Sequence, residues 1–195
     1  MSQRRDMGHP RLRPGPPPAR SDDYVCGELK MKKVHIDSAN LERLFEDAEL
    51  KEERGDLAGA FKSHLTAAQR GNILSQLAVG NFYAKGTGVP RSFEDAAQWY
   101  RKAYHNGVSA AAINLSIELQ DQGNIRGAVD WLKRAVDMND GEAVLQLARI
   151  YLDRPRGKKK AIELLRKTQT MKRYAEISEQ SQEDAAELLS SIEEG

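Results

Sequence analysis

The sequence predicts an all-α array of stacked helix-turn-helix units, an α-solenoid, and three observations carry that expectation. First, the phrase AAQWYRKA at 96–103 returns as AVDWLKRA at 128–135 and as AIELLRKT at 161–168, with a fainter copy, AFKSHLTA, at 60–67. The leading alanines are 36, 32 and 33 residues apart. Self-similarity at a fixed period of this size marks units that bury their apolar face only by stacking on one another. Second, glycines fall between the apolar segments, where helices must stop. Third, propensity, caps and periodicity agree along the whole stretch, as a sequence specifying one fold requires.

The chain opens on a tail. Residues 1–22 hold five of the seven prolines and five arginines without an apolar period. Proline this dense opposes both helix and sheet, so 1–30 is expected to be disordered. The PGPPP run at 14–18 has the composition of a polyproline ligand, but an unselected tail explains it as well. Met31-Lys32-Lys33 reads as a natural bacterial start directly ahead of the folded part. Gly27-Glu28 is encodable by a purine run of the kind that binds the ribosome. Translation beginning at Met31 is therefore an expectation, checked by the intact mass of protein made from the native gene context.

The repeat domain is expected over 37–195, with units at about 41–72, 73–108, 109–140 and 141–173 and a cap at 174–195. In the first unit Asp37 or Ser38 caps a helix carrying Leu41, Leu44, Phe45 and Ala48 at helical spacing. Gly55-Asp56 ends it, and a second helix bears Leu57, Ala60, Phe61, His64, Leu65 and Ala68. The first helix is acidic on its other face, with seven Asp or Glu between Glu42 and Asp56, as a solvated terminal unit needs.

The second unit places Val79, Gly80 and Tyr83 on one face, with Gly80 leaving room for a neighbouring helix. Ser116 and Ala148 are its small counterparts in later units. Two glycines and a proline set the loop AKGTGVPRS, after which Ser92 and Asp95 form a capping box. The third unit carries Leu115, Leu119, Ala128, Trp131 and Ala135, and the fourth Leu147, Ala148, Tyr151, Ala161, Leu164 and Leu165. Ala185, Leu188, Leu189 and Ile192 mark the closing helix.

Composition narrows the function classes. Hydrophobic content of 39% and charged content of 30% suit a modest helical core. A net charge of +1 gives no global field for nucleic acid or membrane. No apolar run approaches bilayer length, and no apolar segment follows the N-terminal arginines. The single cysteine, Cys26, excludes an intrachain disulfide and a cysteine-based zinc cage. A cytoplasmic protein is the expectation.

The second unit resembles the Sel-one-like repeat, a relative of the tetratricopeptide repeat. The resemblance is carried by V-G-x-x-Y at 79–83, G-x-G-V-P at 86–90, A-x-x-W-Y-x-K-A at 96–103, and Gly107. The third and fourth units lack the G-x-G-V-P loop but keep helix phrases such as L-A-x-x-Y at 147–151. The resemblance spans roughly 41–173. It implies a right-handed α-solenoid whose concave face binds proteins or peptides without catalysis. It also implies that the first helix of each unit lines that face. Registered on Val79, Leu115 and Leu147, the inward positions are Asn81, Lys85, Ile117, Gln120, Asp121, Arg149 and Asp153. These mix amides, both signs of charge and one aliphatic, as suits a protein partner with polar specificity. No inward position is assigned in the first unit, where Asp47 falls on an apolar column.

Other features have structural readings. Trp99 and Trp131 occupy matching positions and read as core, at a cost of about 3–5 kcal/mol on truncation. Gly86-x-Gly88 lacks the preceding strand and the Gly-Lys-Ser/Thr ending that phosphate loops require, so it reads as a turn. The four histidines, His9, His35, His64 and His105, show no i, i+4 pairing and no carboxylate partner. No metal site, cofactor, general base or nucleophile is assigned. The stretch 154–173 holds nine Lys or Arg against one acid, Glu163, and 174–195 holds seven acids without a base. Compensation between the two is the plain reading, and a basic patch for nucleic acid is the alternative. The sequence thus points to a non-enzymatic protein-interaction module. Small proteins of the resembled class serve in bacteria as cytoplasmic adaptors or as immunity proteins that neutralise a toxin.

Overall fold

The computed structural model describes residues 38–170 and 179–194. The tail at 1–30, Cys26, the start at Met31, His9, His35 and the Asp37 cap lie outside the described residues, as does 171–178. Among the described residues the elements are all helices: α1 (Ser38–Glu53), α2 (Leu57–Gln69), α3 (Ile73–Lys85), α4 (Phe93–His105), α5 (Ser109–Asp121), α6 (Ile125–Asp137), α7 (Gly141–Leu152), α8 (Lys158–Thr170) and α9 (Glu179–Glu194).

One dipeptide does two jobs at four of the turns between helices. Its first residue takes the left-handed conformation that ends a helix, and its second caps the next. Gly55 has φ 79° and Gly123 φ 74°. Asp56 and Asn124 then accept hydrogen bonds from the amides of Gly59 and Gly127. Gly71-Asn72 repeats the device, and so does Asn139-Asp140, where asparagine stands in at φ 64°. The longer α3–α4 loop runs over 86–92 and ends on Ser92, whose Oγ accepts from Asp95 N.

The helices pack sequentially as antiparallel pairs, and α9 lies against α8 and α7. The backbones of α3 and α5 approach each other, whereas their outer counterparts α4 and α6 do not comparably. The odd-numbered helices therefore lie on the inside of the array and the even-numbered ones outside. The sequence period is legible in the packing. Ala60, Ala96, Ala128 and Ala161 are all fully buried, as are Ala67, Ala103, Ala135 and Thr168 seven positions on, to within 1%. Small residues at these crossings let helices close to about 8–10 Å.

A second set of columns fills the space between. His64, Tyr100, Leu132 and Leu165 are equivalent positions of the outer helices, each at most 2% exposed. The tryptophans precede this column and are only half-buried. They pack on the core with one side, while Lys102 and Arg134 lie over their rings at 4.6 and 4.4 Å. The core reading of Trp99 and Trp131 is thus corrected to a core-edge position shielded by a cation. The fully enclosed residue is the one that follows each of them.

Candidate partner-binding groove

Helices α1, α3, α5 and α7 line a succession of clefts on the inner face. The cleft between α1 and α3 has a volume of about 490 Å³ and is lined by Phe45, Leu74 and Leu77 together with Glu49, Glu52 and Glu53. The next, between α3 and α5, holds Asn81, Lys85, Asn114, Ile117 and Glu118. The third, between α5 and α7, holds Ile117, Gln120, Asp121, Gln146, Arg149 and Asp153. All seven residues picked from the sequence line one or more of these clefts. Asn81 and Ile117 each border two neighbouring clefts, which joins them into one groove.

The seven differ in how freely they are held. Lys85, Ile117, Arg149 and Asp153 are exposed. Gln120 turns its Nε2 back to Ser116 O of its own helix at 3.4 Å. Asp121 faces Arg91 at 3.9 Å, and that same arginine donates to Glu118 Oε2 at 3.2 Å. Asn81 is the most firmly fixed. Its Oδ1 accepts from Tyr100 OH and from Asn114 Nδ2, each at 2.9 Å.

That fixation has a cause in the sequence. At Gly80 an added Cβ would sit 2.6 Å from the Tyr100 ring, so the glycine lets the ring lie flat on α3. The phenol then passes between α3 and α5 and reaches the groove from the outer layer. Burial raises the phenol's pKa well above the ordinary tyrosine range, with the Glu118 carboxylate adding to the effect. In the third and fourth units the equivalent residues are Ser116 with Leu132 and Ala148 with Leu165. A leucine fills the space and carries no polar head to the groove.

The first unit repeats the device with histidine. His64, 2% exposed on α2, places Nε2 2.8 Å from Glu52 Oε1 and Nδ1 3.3 Å from Ser75 Oγ. The expectation that no histidine has a carboxylate partner is therefore corrected. Glu52 lies twelve residues away across a helix turn, beyond the i, i+4 spacing that sequence inspection tests. Ser75 is fully buried, so the Ser75–His64–Glu52 chain has no approach for a substrate at its hydroxyl. It locks α1, α2 and α3 together and fixes the direction of the Glu52 carboxylate.

Sequence reasoning missed Asn114 and Gln146, one turn before Ile117 and Arg149 on the same face. A third column at i−3 from the chosen register would have found them. It also left out α1. Its register follows from matching helix ends: Asp56 N donates to Lys51 O as Asn124 N donates to Leu119 O, at 2.9 and 2.8 Å. Glu49 and Glu53 thereby fall on the columns of Ile117 and Asp121, and Asp47 on that of Leu115. Asp47 avoids burial by binding Lys51 and Ser63 Oγ, which together hold its pKa down.

The basic stretch divides on folding. Arg166 donates to Glu193 of α9 at 2.6 Å, which is compensation of the kind the charge pattern suggested. Lys160 and Lys167 instead border an outer cleft with Lys133, Asp137, Tyr151 and Glu163. Gly86 and Gly88, at φ 71° and 68°, form the turn, and a Cβ at Gly88 would meet Leu57 O at 2.4 Å. Among the described residues no group of His, Cys, Asp or Glu side chains is arranged to hold a metal ion. No described helix is long and apolar enough to cross a membrane.

These features define a class: a helical-repeat solenoid with a continuous inner groove. The particular family follows from comparison. The Sel1 repeat model matches at 73–108, 109–140 and 141–168, and the chain belongs to the Sel1 repeat proteins. Repeats of this kind generally mediate protein–protein interaction. A comparison with curated protein sequences gave no match. Among solved structures the fold is similar to a Sel1 repeat protein from Oxalobacter formigenes, at 21% identity and TM-score 0.58, covering 77% of this chain and 72% of that one. It is similar to c5321, a protective antigen present in uropathogenic Escherichia coli strains, at 24% identity and TM-score 0.52, covering 69% of this chain and 28% of that one. It is also similar to MamA, at 22% identity and TM-score 0.52, covering 81% and 88%. At these identities the likeness is one of fold.

Proposed function

We propose that the chain is a non-enzymatic interaction module that holds a segment of another protein in its inner groove. The observation that carries this reading is the continuity of the groove. Three clefts share their bordering residues, and their walls mix exposed carboxylates, amides, an arginine and the 42%-exposed Ile117. That mixture is the composition of a polar protein interface with a small apolar centre. The contact residues proposed are Asn81, Lys85, Ile117, Gln120, Asp121, Arg149 and Asp153, with Asn114 and Gln146 beside them. Two cellular roles fit such a module: a cytoplasmic adaptor, or an immunity protein that neutralises a toxin.

The test is an affinity capture from native cell extract with nuclease present, comparing wild type with Asn81→Ala/Gln120→Ala/Arg149→Ala. One stoichiometric protein lost in the triple variant supports the groove. A captured protein toxic when expressed alone assigns the immunity role, and a non-toxic one assigns the adaptor role. Nuclease-sensitive material indifferent to the triple variant would move binding to the basic residues of 154–173 and end the groove reading.

A further inference from the structure

The two layers of the array carry opposite charge. The inner helices α1, α3, α5 and α7 hold nine acidic residues against four basic ones, while α2, α4, α6 and α8 hold five against eleven. On α1 the residues Glu42, Glu46, Glu49 and Glu53 follow one another at three- and four-residue steps, so they share a face, and all are exposed. Among the described residues none of these four pairs with a cation within the chain. Like charges at such spacing repel one another, a cost that a cationic ligand would relieve.

The floor beneath them is apolar. Phe45 and Leu77 are half-buried in the α1–α3 cleft, and Leu74 at its edge is 57% exposed. The cleft is also pre-shaped on its acidic side, because His64 fixes Glu52 from below. A buried, packed anchor beneath an exposed carboxylate reduces the ordering that binding would otherwise require.

The neighbouring cleft adds a different chemistry. With Asn81 Oδ1 occupied by Tyr100 and Asn114, the pair retains one NH₂ group on Asn81 and one carbonyl oxygen on Asn114. Exchanging the ends of both amides swaps the two positions but still leaves one donor and one acceptor side by side. A donor and an acceptor side by side complement the C=O and N–H of an extended peptide, independent of its side chains. The carboxylates one cleft away complement a Lys or Arg side chain, whose aliphatic stem would lie on Leu74 and Leu77.

We propose that the groove over α1, α3 and α5 takes an extended basic segment of another protein, its main chain on Asn81 and Asn114 and a Lys or Arg side chain on Glu49, Glu52 and Glu53. The inference rests on the groove reading above and names the chemistry of the segment it holds.

The test uses the full chain and a library of random linear dodecapeptides displayed on phage, followed by fluorescence anisotropy of the selected peptides. Selected sequences should be enriched in Lys and Arg and should bind more weakly as salt rises. Glu49→Gln/Glu53→Gln, at exposed positions, should weaken binding about tenfold, the loss expected for one charge-assisted contact. Asn114→Ala should weaken basic peptides of unrelated sequence alike, and Glu49→Lys/Glu53→Lys should redirect selection toward acidic peptides. Acidic or neutral peptides that are lost in the Asn81/Gln120/Arg149 triple variant would overturn the basic segment while leaving the groove reading intact. An empty selection, or peptides indifferent to every groove variant, would overturn both readings. Sensitivity to Lys160→Ala/Lys167→Ala alone would place binding on the outer cleft and have the same consequence.

Discussion

The first two helix pairs and the last two are built on the same columns, yet they furnish the groove differently. In the N-terminal half the enclosed outer-helix position is His64 or Tyr100, and each sends a polar head through the layer to fix a groove residue. In the C-terminal half the same position is Leu132 or Leu165, fully buried, and the groove residues Arg149 and Asp153 stand free on their helix. One column thus serves stability alone in one half and stability plus side-chain orientation in the other. Repeat proteins permit this division because each unit contacts only its neighbours, so local specialisation need not be matched elsewhere.

The largest effect expected from breaking this comparison is in the C-terminal half. Leu132→Ala removes a fully buried plug, and chemical denaturation should record a loss of about 2–5 kcal/mol. A direct exchange between the halves follows in size. Gly80→Ser alone forces a side chain into the Tyr100 ring, and Tyr100→Leu alone leaves a gap over Gly80. Gly80→Ser/Tyr100→Leu recreates the Ser116–Leu132 arrangement, so the double variant should be more stable than the two single losses predict. A coupling of about 0.5–3 kcal/mol in a denaturation cycle is expected. The double variant should also lose groove binding, because Asn81 no longer has its phenol.

A smaller effect separates the hydroxyl from the ring. Tyr100→Phe keeps the packing and should cost about 0.5–1.5 kcal/mol. Folding raises the pKa of this phenol, so the unfolded chain releases the proton first as the medium becomes alkaline. The stabilisation is present below the ordinary tyrosine value of about 10 and is lost as pH rises beyond it. The decline in stability above about pH 10, followed by circular dichroism, should therefore be shallower in Tyr100→Phe than in wild type. The smallest effect is at the surface: Arg166→Ala breaks an exposed pair with Glu193 and should shift stability by less than about 1 kcal/mol.

Much of this was legible in the sequence, for definite reasons. The leading alanines announce the period because a helix crossing tolerates only a small residue at every unit. The seven groove positions follow once the register is set on Val79, Leu115 and Leu147. What escaped was whatever depends on two layers meeting. Tyr100 and Asn81 belong to different helices, and their bond requires Gly80, which by itself signals only close approach. His64 and Glu52 meet across a turn, with no spacing rule to pair them. Asp47 obscured the register of α1 because its contacts with Lys51 and Ser63 satisfy it on a column that is apolar elsewhere. The tryptophans misled for a related reason: an indole conserved in position between units marks the edge of the core as readily as its centre, and the cation above the ring decides which.

The loop at 86–92 reaches in both directions. Its Gly88 rests on the backbone of Leu57 and Ala58, and its Arg91 extends to Glu118 on α5. A chain of nearest-neighbour units would ordinarily fray one pair at a time from either end. This loop joins the second unit to both of its neighbours in addition to the helix packing, so the array is expected to melt asymmetrically. Backbone amides from α2 to α5 should exchange with solvent deuterium as one slow cooperative block, while those of α7 to α9 are released earlier and separately. The half of the molecule that holds its groove side chains most firmly would then also be the half that stays closed longest.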